Sequence, residues 1–226
     1  MTDRAELEAL DLAALLCSRV CHDIISPVGA IINGLEVLDE DNSEDMKEFA
    51  FDLIRRSARQ GSAKLQFARL AFGAAGSAGA EIDLADAEKV ATGYMEGEKA
   101  DFTWSAPRVL MAKNLVKLVL NLVLLANAAV PRGGSISVVI EGEAATPRFT
   151  LRSVGPTARI PAAFERLVPG DIDGADVDAQ SVQAYYAGAL ARNCRMTVSA
   201  SLDGEDVVIT AVPAEAGIQP DVSADS

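Results

Sequence analysis

A chain of 226 residues of which 50% are apolar can bury one large core or two small ones. Its 33 acidic and 20 basic residues leave a net charge of −13, which opposes nonspecific attachment to nucleic acid or an anionic membrane and favours protein or small-molecule partners. The longest apolar-rich run, Leu115 to Val130, is broken by Lys117, Asn121 and Asn127 and falls short of a bilayer span; with no export signal in view, a cytoplasmic protein is expected.

From Leu16 to Leu38 the chain reads as a helix. Leu16, Val20, Ile24, Val28, Ile31, Leu35 and Leu38 recur at separations of three and four, so they share one face. His22, the sole histidine, is off that stripe, and around it lie Ser18, Arg19, Ser26, Gly29, Asn33 and Glu36, all small or polar. Asp23 follows directly, and a carboxylate there can hold one ring N–H and leave the other nitrogen free as a nucleophile. Pro27 cannot donate to the carbonyl of Asp23, so a bend is expected just beyond the histidine at a cost of ~3 kcal/mol. Cys17, Cys21 and Cys194 read as reduced thiols, the first two buried among apolar neighbours. Three residues separate Cys17 from Cys21, haem attachment needs two, and no second ligand cluster follows, so no metal site is expected.

The polar stretch Asp39 to Ser43 is a turn, with Asn42 or Ser43 as helix cap. A second helix follows with the stripe Met46, Phe49, Leu53, Ser57, Gly61, Leu65, Ala68 and Phe72. Two long helices joined this way form an antiparallel hairpin that cannot bury its apolar faces alone, and a second copy would complete a four-helix bundle. Reflection about the turn places His22 opposite roughly residue 62. Between Leu53 and Ala80 every charged residue is basic: Arg55, Arg56, Arg59, Lys64 and Arg69. This local reversal of sign suits docking of an acidic surface.

Residues 74–81, rich in Gly, Ala and Ser, form a linker between a hairpin domain at 1–73 and a second domain at 82–213. Helices are expected over Leu84 to Glu96, from after Pro107 to Val130, near Pro161 to Val168 and over Asp178 to Asn193. Strands are expected over Asp101 to Ser105, Ser135 to Glu141, Arg148 to Val154, Met196 to Leu202 and Val207 to Val212, the last two joined at Asp203-Gly204. The fold class is α+β, a helical hairpin followed by an α/β sandwich. Residues 214–226 read as a disordered acidic tail.

The run His22-Asp23-Ile24-Ile25-Ser26-Pro27-Val28 resembles the phosphoacceptor motif in the dimerisation helix of sensor histidine kinases. The element order after residue 82 is similar to that of the kinase ATP-binding domain, the Bergerat or GHKL fold, and Leu122 to Ala128 resembles its asparagine box, with Asn127 where kinases help to hold magnesium. The adenine-reading motif is degenerate: Ser153 stands for its aspartate, Gly155 is followed by no second glycine, and Gly170, Gly174 and Gly188 are too dispersed for a lid. Asp171, Asp173, Asp176 and Asp178 would repel a triphosphate there. As a whole the chain resembles the ChpT group of histidine phosphotransferases, built like a kinase that has lost ATP. That resemblance implies a phosphorelay in which His22 is the phosphoacceptor and Asp23 orients its ring, the alternatives being a divergent ATP-using sensor kinase and a noncatalytic dimeric adaptor. Docking would involve Arg19, Ser26, Arg55, Arg56, Arg59 and Lys64. It also implies a homodimer, receiver domains of a hybrid histidine kinase and of response regulators in a cell-cycle relay as partners, Mg²⁺ brought by the receiver, and no ATP or cofactor of its own.

Overall fold

The computed structural model describes residues 7–40, 43–73, 80–170, 172 and 177–214. Two long helices, α1 (Ala9–Glu40) and α2 (Glu44–Ala71), form the antiparallel hairpin, with Ser43 as the α2 N-cap. α1 runs through Pro27 without ending, and it buries only Pro27 and Gly34. These two residues mark the seam. The Pro27 ring lies against Gly61, where a Cβ would stand 3.6 Å away, and a Cβ on Gly34 would come within 2.7 Å of Ile54 Cγ1 and 3.2 Å of the Ala50 carbonyl oxygen. This pairing sets His22 level with roughly residues 64 to 66 of α2, about one turn from the expected position.

The helices therefore meet over small residues, Ser57 and Gly61 of the expected α2 stripe among them, while several larger members of both stripes turn outward. Val28 and Leu35 of the α1 stripe are 45% and 49% exposed, and Met46, Phe49 and Leu65 of the α2 stripe are exposed as well. Backbones that approach closely must do so over Gly, Ala, Ser and a flat Pro ring, and this turns the larger side chains to either side of the seam. The same rotation corrects the reading of the cysteines: Cys17 and Cys21 are exposed on α1. By length and composition alone, α1 and not the run near residue 120 is, among the described residues, the helix long and apolar enough to cross a bilayer.

The second unit contains β1 (Glu81–Asp83), α3 (Leu84–Met95), β2 (Ala100–Ser105), β3 (Leu110–Ala112), α4 (Lys113–Ala129), β4 (Gly134–Glu143), β5 (Thr146–Val154), α5 (Ala162–Leu167), α6 (Val182–Asn193), β6 (Met196–Asp203) and β7 (Asp206–Pro213). Five strands form a mixed sheet in the order β2-β4-β5-β7-β6, parallel only between β2 and β4, while β1 and β3 pair separately. Hydrophobic side chains alternate along β4 and β5, so one face of the sheet is buried against helices. Of these, α4 is covered almost all round, with 13 of its 17 residues buried. β6 and β7 turn at Gly204, whose φ of 64° is the left-handed conformation that suits glycine.

The hairpin is docked onto this sandwich. Phe67 and Ala71 of α2 belong to the same buried cluster as α3, α4 and the sheet. The Asn121 amide donates to the carbonyl oxygens of Ala71 (3.1 Å) and Lys117 (2.7 Å), its own oxygen accepts from the Gln183 amide, and Leu7 N donates to the Tyr185 hydroxyl at 3.1 Å. These hydrogen bonds fix the last turn of α2 against α4 and α6, although the Gln183 Oε1 oxygen is buried there without a partner. Residues 74–79 of the expected linker, Asn42, Asp171, Asp173, Gly174 and Asp176 of the acidic loop, and residues 215–226 of the tail lie outside the described residues.

Candidate phosphoacceptor site

α1 presents His22 with its side chain 70% exposed. The face around it is open: Ser18, Ser26, Asn33 and Glu36 are exposed, and nothing stands within 4 Å of where a Gly29 Cβ would be. Asp23 is the nearest charge, with 3.6 Å between His22 Nδ1 and Asp23 Oδ1. That exceeds a hydrogen bond, because consecutive residues of a helix point about 100° apart. The hydrogen bond of Asp23 goes instead to Arg19, one turn earlier, whose Nε donates to Oδ2 at 3.1 Å. Asp23 thus faces the imidazole with one oxygen and is anchored through the other.

Behind this pair stands a residue that no pattern near His22 announces. Tyr94, on α3, is 6% exposed, and its ring packs tilted against that of Phe67 with 4.5 Å between centroids. Burial, with the charges of Glu98 and Asp23 adding and Arg19 opposing, pushes its phenol well above the usual range. Lys64 lies 5.7 Å over the same ring and pairs with Glu98 at 3.6 Å, and Glu98 in turn accepts from the Asn127 amide at 3.0 Å. A string of contacts therefore runs from α2 past α3 to α4.

The basic residues of α2 are not all presented to solvent. Lys64 is turned inward to Glu98, whereas Arg55, Arg56 and Arg59 are exposed, Arg55 lying 5.8 Å over the Phe51 ring. Arg59 lines a groove of about 780 Å³ between α2 and α3. On the other side of the α2 ridge formed by Ala58, Ser62 and Gln66, an apolar groove of about 650 Å³ is walled by Ile24, Val28, Ile31 and Leu65.

In the sandwich, the positions that resemble nucleotide-binding ones are engaged internally. The Asn127 amide is held by Glu98, and buried Ser153 donates from Oγ to the carbonyl oxygen of Ala126 at 3.0 Å. Asp178 accepts from the backbone N–H groups of Gln180 (3.0 Å) and Ser181 (2.7 Å) and from the Ser181 hydroxyl, hydrogen bonds that hold its carboxyl below the usual range and tie the loop ahead of α6. Among the described residues, no three His, Cys, Asp or Glu side chains gather as a metal site.

Residues 84–206 match the family model of the histidine phosphotransferase C-terminal domain. Over 205 residues the chain is 53% identical to protein phosphotransferase ChpT of Brucella abortus (strain 2308), an alignment that covers 91% of this chain and 97% of that one. The solved structure of a bacterial phosphotransferase is 51% identical, with a TM-score of 0.84 over 92% of this chain and 98% of that one.

Proposed function

This chain belongs to the ChpT-type histidine phosphotransferase family, and from that membership we propose that it relays a phosphoryl group between aspartates of receiver domains through a phosphohistidine at His22. The observation that carries this reading is the exposure of the only imidazole in the chain on an otherwise open polar face. In the forward step the lone pair of His22 Nε2 attacks the phosphorus of a receiver's aspartyl phosphate. The acyl P–O bond breaks, the carboxylate leaves with its electron pair, and an Nε2–P bond forms. The proton on Nδ1 stays in place, and the Asp23 carboxylate 3.6 Å away balances the positive charge of the ring. Attack by the carboxylate of a second receiver reverses these events.

In this reading the donor is the receiver of a hybrid histidine kinase, the acceptors are response regulators in a cell-cycle relay, and the Mg²⁺ that such receivers carry belongs to them. Ser26, Arg19 and the exposed Arg55, Arg56 and Arg59 meet the acidic receiver surface, while Lys64 acts from behind through Glu98. The internal engagement of Asn127 and Ser153 supports a domain that works without ATP. The apolar groove of Ile24, Val28, Ile31 and Leu65 supports a homodimer, since a second hairpin would fill it and close a four-helix bundle. We place the protein in the cytoplasm, with neither nucleic acid nor membrane as partner.

The test is transfer of radiolabel from a phosphorylated receiver domain to this chain, with His22→Gln and with labelled ATP alone as controls. Label taken from the receiver and absent in His22→Gln supports the relay. Label from ATP alone would make the chain a kinase, and label retained in His22→Gln would place the acceptor elsewhere.

A further inference from the structure

We propose that Glu98 is a positioning residue for phosphoryl transfer at His22: it ties the second unit to the middle of α2 and so fixes how that unit stands beside the phosphoacceptor helix. The inference rests on the relay reading of His22. The two carboxylate oxygens of Glu98 serve different units. Oε1 pairs with the Lys64 ammonium of α2 at 3.6 Å, and Oε2 accepts from the Asn127 amide of α4 at 3.0 Å. Next to it the Gln60 amide of α2 donates to the carbonyl oxygen of Gly97 at 3.4 Å. The Lys64 and Glu98 side chains are 15% and 23% exposed, so their attraction is screened less than that of a pair in open solvent.

What this tie adds follows from where else α2 is held. Its last turn is fastened at Ala71, whose carbonyl oxygen accepts from Asn121, and Phe67 is buried in the core of the second unit. A helix held at one end can pivot about it. A second point at Lys64, about 10 Å back along the axis, removes the pivot. Beyond Phe67, apolar packing does not supply that point. Grooves of about 780 and 540 Å³ run between α2 and α3, both lined by Ala63 and Gly93, and a Cβ on Gly93 would stand 3.9 Å from that of Ala63. With so little side chain in the gap, the ion pair and hydrogen bonds of residues 97 and 98 set the angle. They do so at the level of His22, which the seam at Pro27 and Gly61 places opposite roughly residues 64 to 66. A second unit free to pivot there sweeps across the approach to the open histidine face. A receiver then finds a competent arrangement only part of the time, which raises its apparent dissociation constant and leaves the chemical step alone.

Glu98→Ala removes both arms of the tie. For label transfer from a receiver domain charged with labelled acetyl phosphate, KM should rise about fivefold while kcat stays within about twofold. A merely structural role would lower the melting temperature and leave KM in place. Lys64→Met and Asn127→Leu cut one arm each, and because both act through one carboxylate the double variant should raise KM no further than the stronger single one. The Cβ separation of Ala63 and Gly93 lies within disulfide range, so a covalent substitute is available. Ala63→Cys with Gly93→Cys, oxidised in the Glu98→Ala chain, should return KM to within about twofold of the parent and lose that effect on reduction. If Glu98→Ala does not fold, Glu98→Gln keeps an acceptor for Asn127, loses the ion pair and decides by the same rise in KM. An unchanged KM in a folded variant, a fall in kcat alone, additive effects of the two single arms, or a closed disulfide that does not restore KM would each overturn the proposal. An unchanged Glu98→Ala beside a dead His22→Gln would leave the relay standing and remove only the role of Glu98.

Discussion

α1 and α4 are both long apolar helices, and they spend that character in opposite ways. α4 buries 13 of 17 residues and is the centre of the sandwich, so its hydrophobicity is consumed in folding. α1 buries two of 32 and keeps Ile25, Val28, Ile32 and Leu35 at 45% exposure or more. A helix of that kind costs free energy in water unless something covers it, and it carries the candidate phosphoacceptor His22. The difference teaches that composition alone does not distinguish a helix that holds a fold together from one that meets partners; the company each keeps does.

The strongest way to sharpen this contrast is Leu122→Ala, which opens a cavity at a fully buried site of α4. We expect a loss of about 3 kcal/mol in urea unfolding. Next, Val28→Glu puts a carboxylate into the apolar groove of α1. If a second copy covers that groove, light scattering should show dimers giving way to monomers, with association weakened ~100-fold, about 2.7 kcal/mol. If the stripe is simply a wetted surface, Val28→Glu will change nothing. A smaller effect separates the two glycines of the hairpin seam. Gly34→Ala forces its methyl against Ile54 and the Ala50 carbonyl and should destabilise by about 1 to 2 kcal/mol, whereas Gly61→Ala meets Pro27 at ordinary contact distance and should stabilise by about 0.5 kcal/mol through helix propensity.

The smallest effect is one of pH and thiols. Burial pushes the Cys194 thiol up to about 11, whereas Cys17 and Cys21 are exposed. In monomeric Val28→Glu, iodoacetamide at pH 8 should modify Cys17 and Cys21 and spare Cys194. A raised thiol pKa favours the neutral form in the folded chain. Its contribution to stability is therefore present below the ordinary thiol range and disappears as pH rises through about 11, where Cys194 should begin to react.

Much of the sandwich was legible in the sequence because strands declare themselves by alternation and turns by glycine. The β6–β7 hairpin at Gly204 and the long β4 and β5 were all read from local pattern. β1 and β3 were not, since three residues each carry no period and they pair only with each other across 26 intervening residues or more. The hairpin was legible as two helices and misread in rotation. Hydropathy marks the largest side chains as inward, but the closest approach of two backbones is made by the smallest, here Gly34, Gly61 and Ala50. For the same reason Cys17 and Cys21 were expected inside. At the candidate site His22, Asp23 and Arg19 could be picked out by spacing on one helix. Tyr94 and Glu98 could not, because only the docking of the second unit brings them near.

Ser153 has a consequence in time rather than in space. Its hydroxyl donates to Ala126 from a fully buried position. An aspartate there, as the resemblance to kinases would restore, puts an acceptor carboxylate against an acceptor carbonyl in a dry core, which costs several kcal/mol before any nucleotide could compensate. Ser153→Asp on its own should therefore unfold more readily than the parent chain, so the order in which changes are made at this position decides whether the fold survives them.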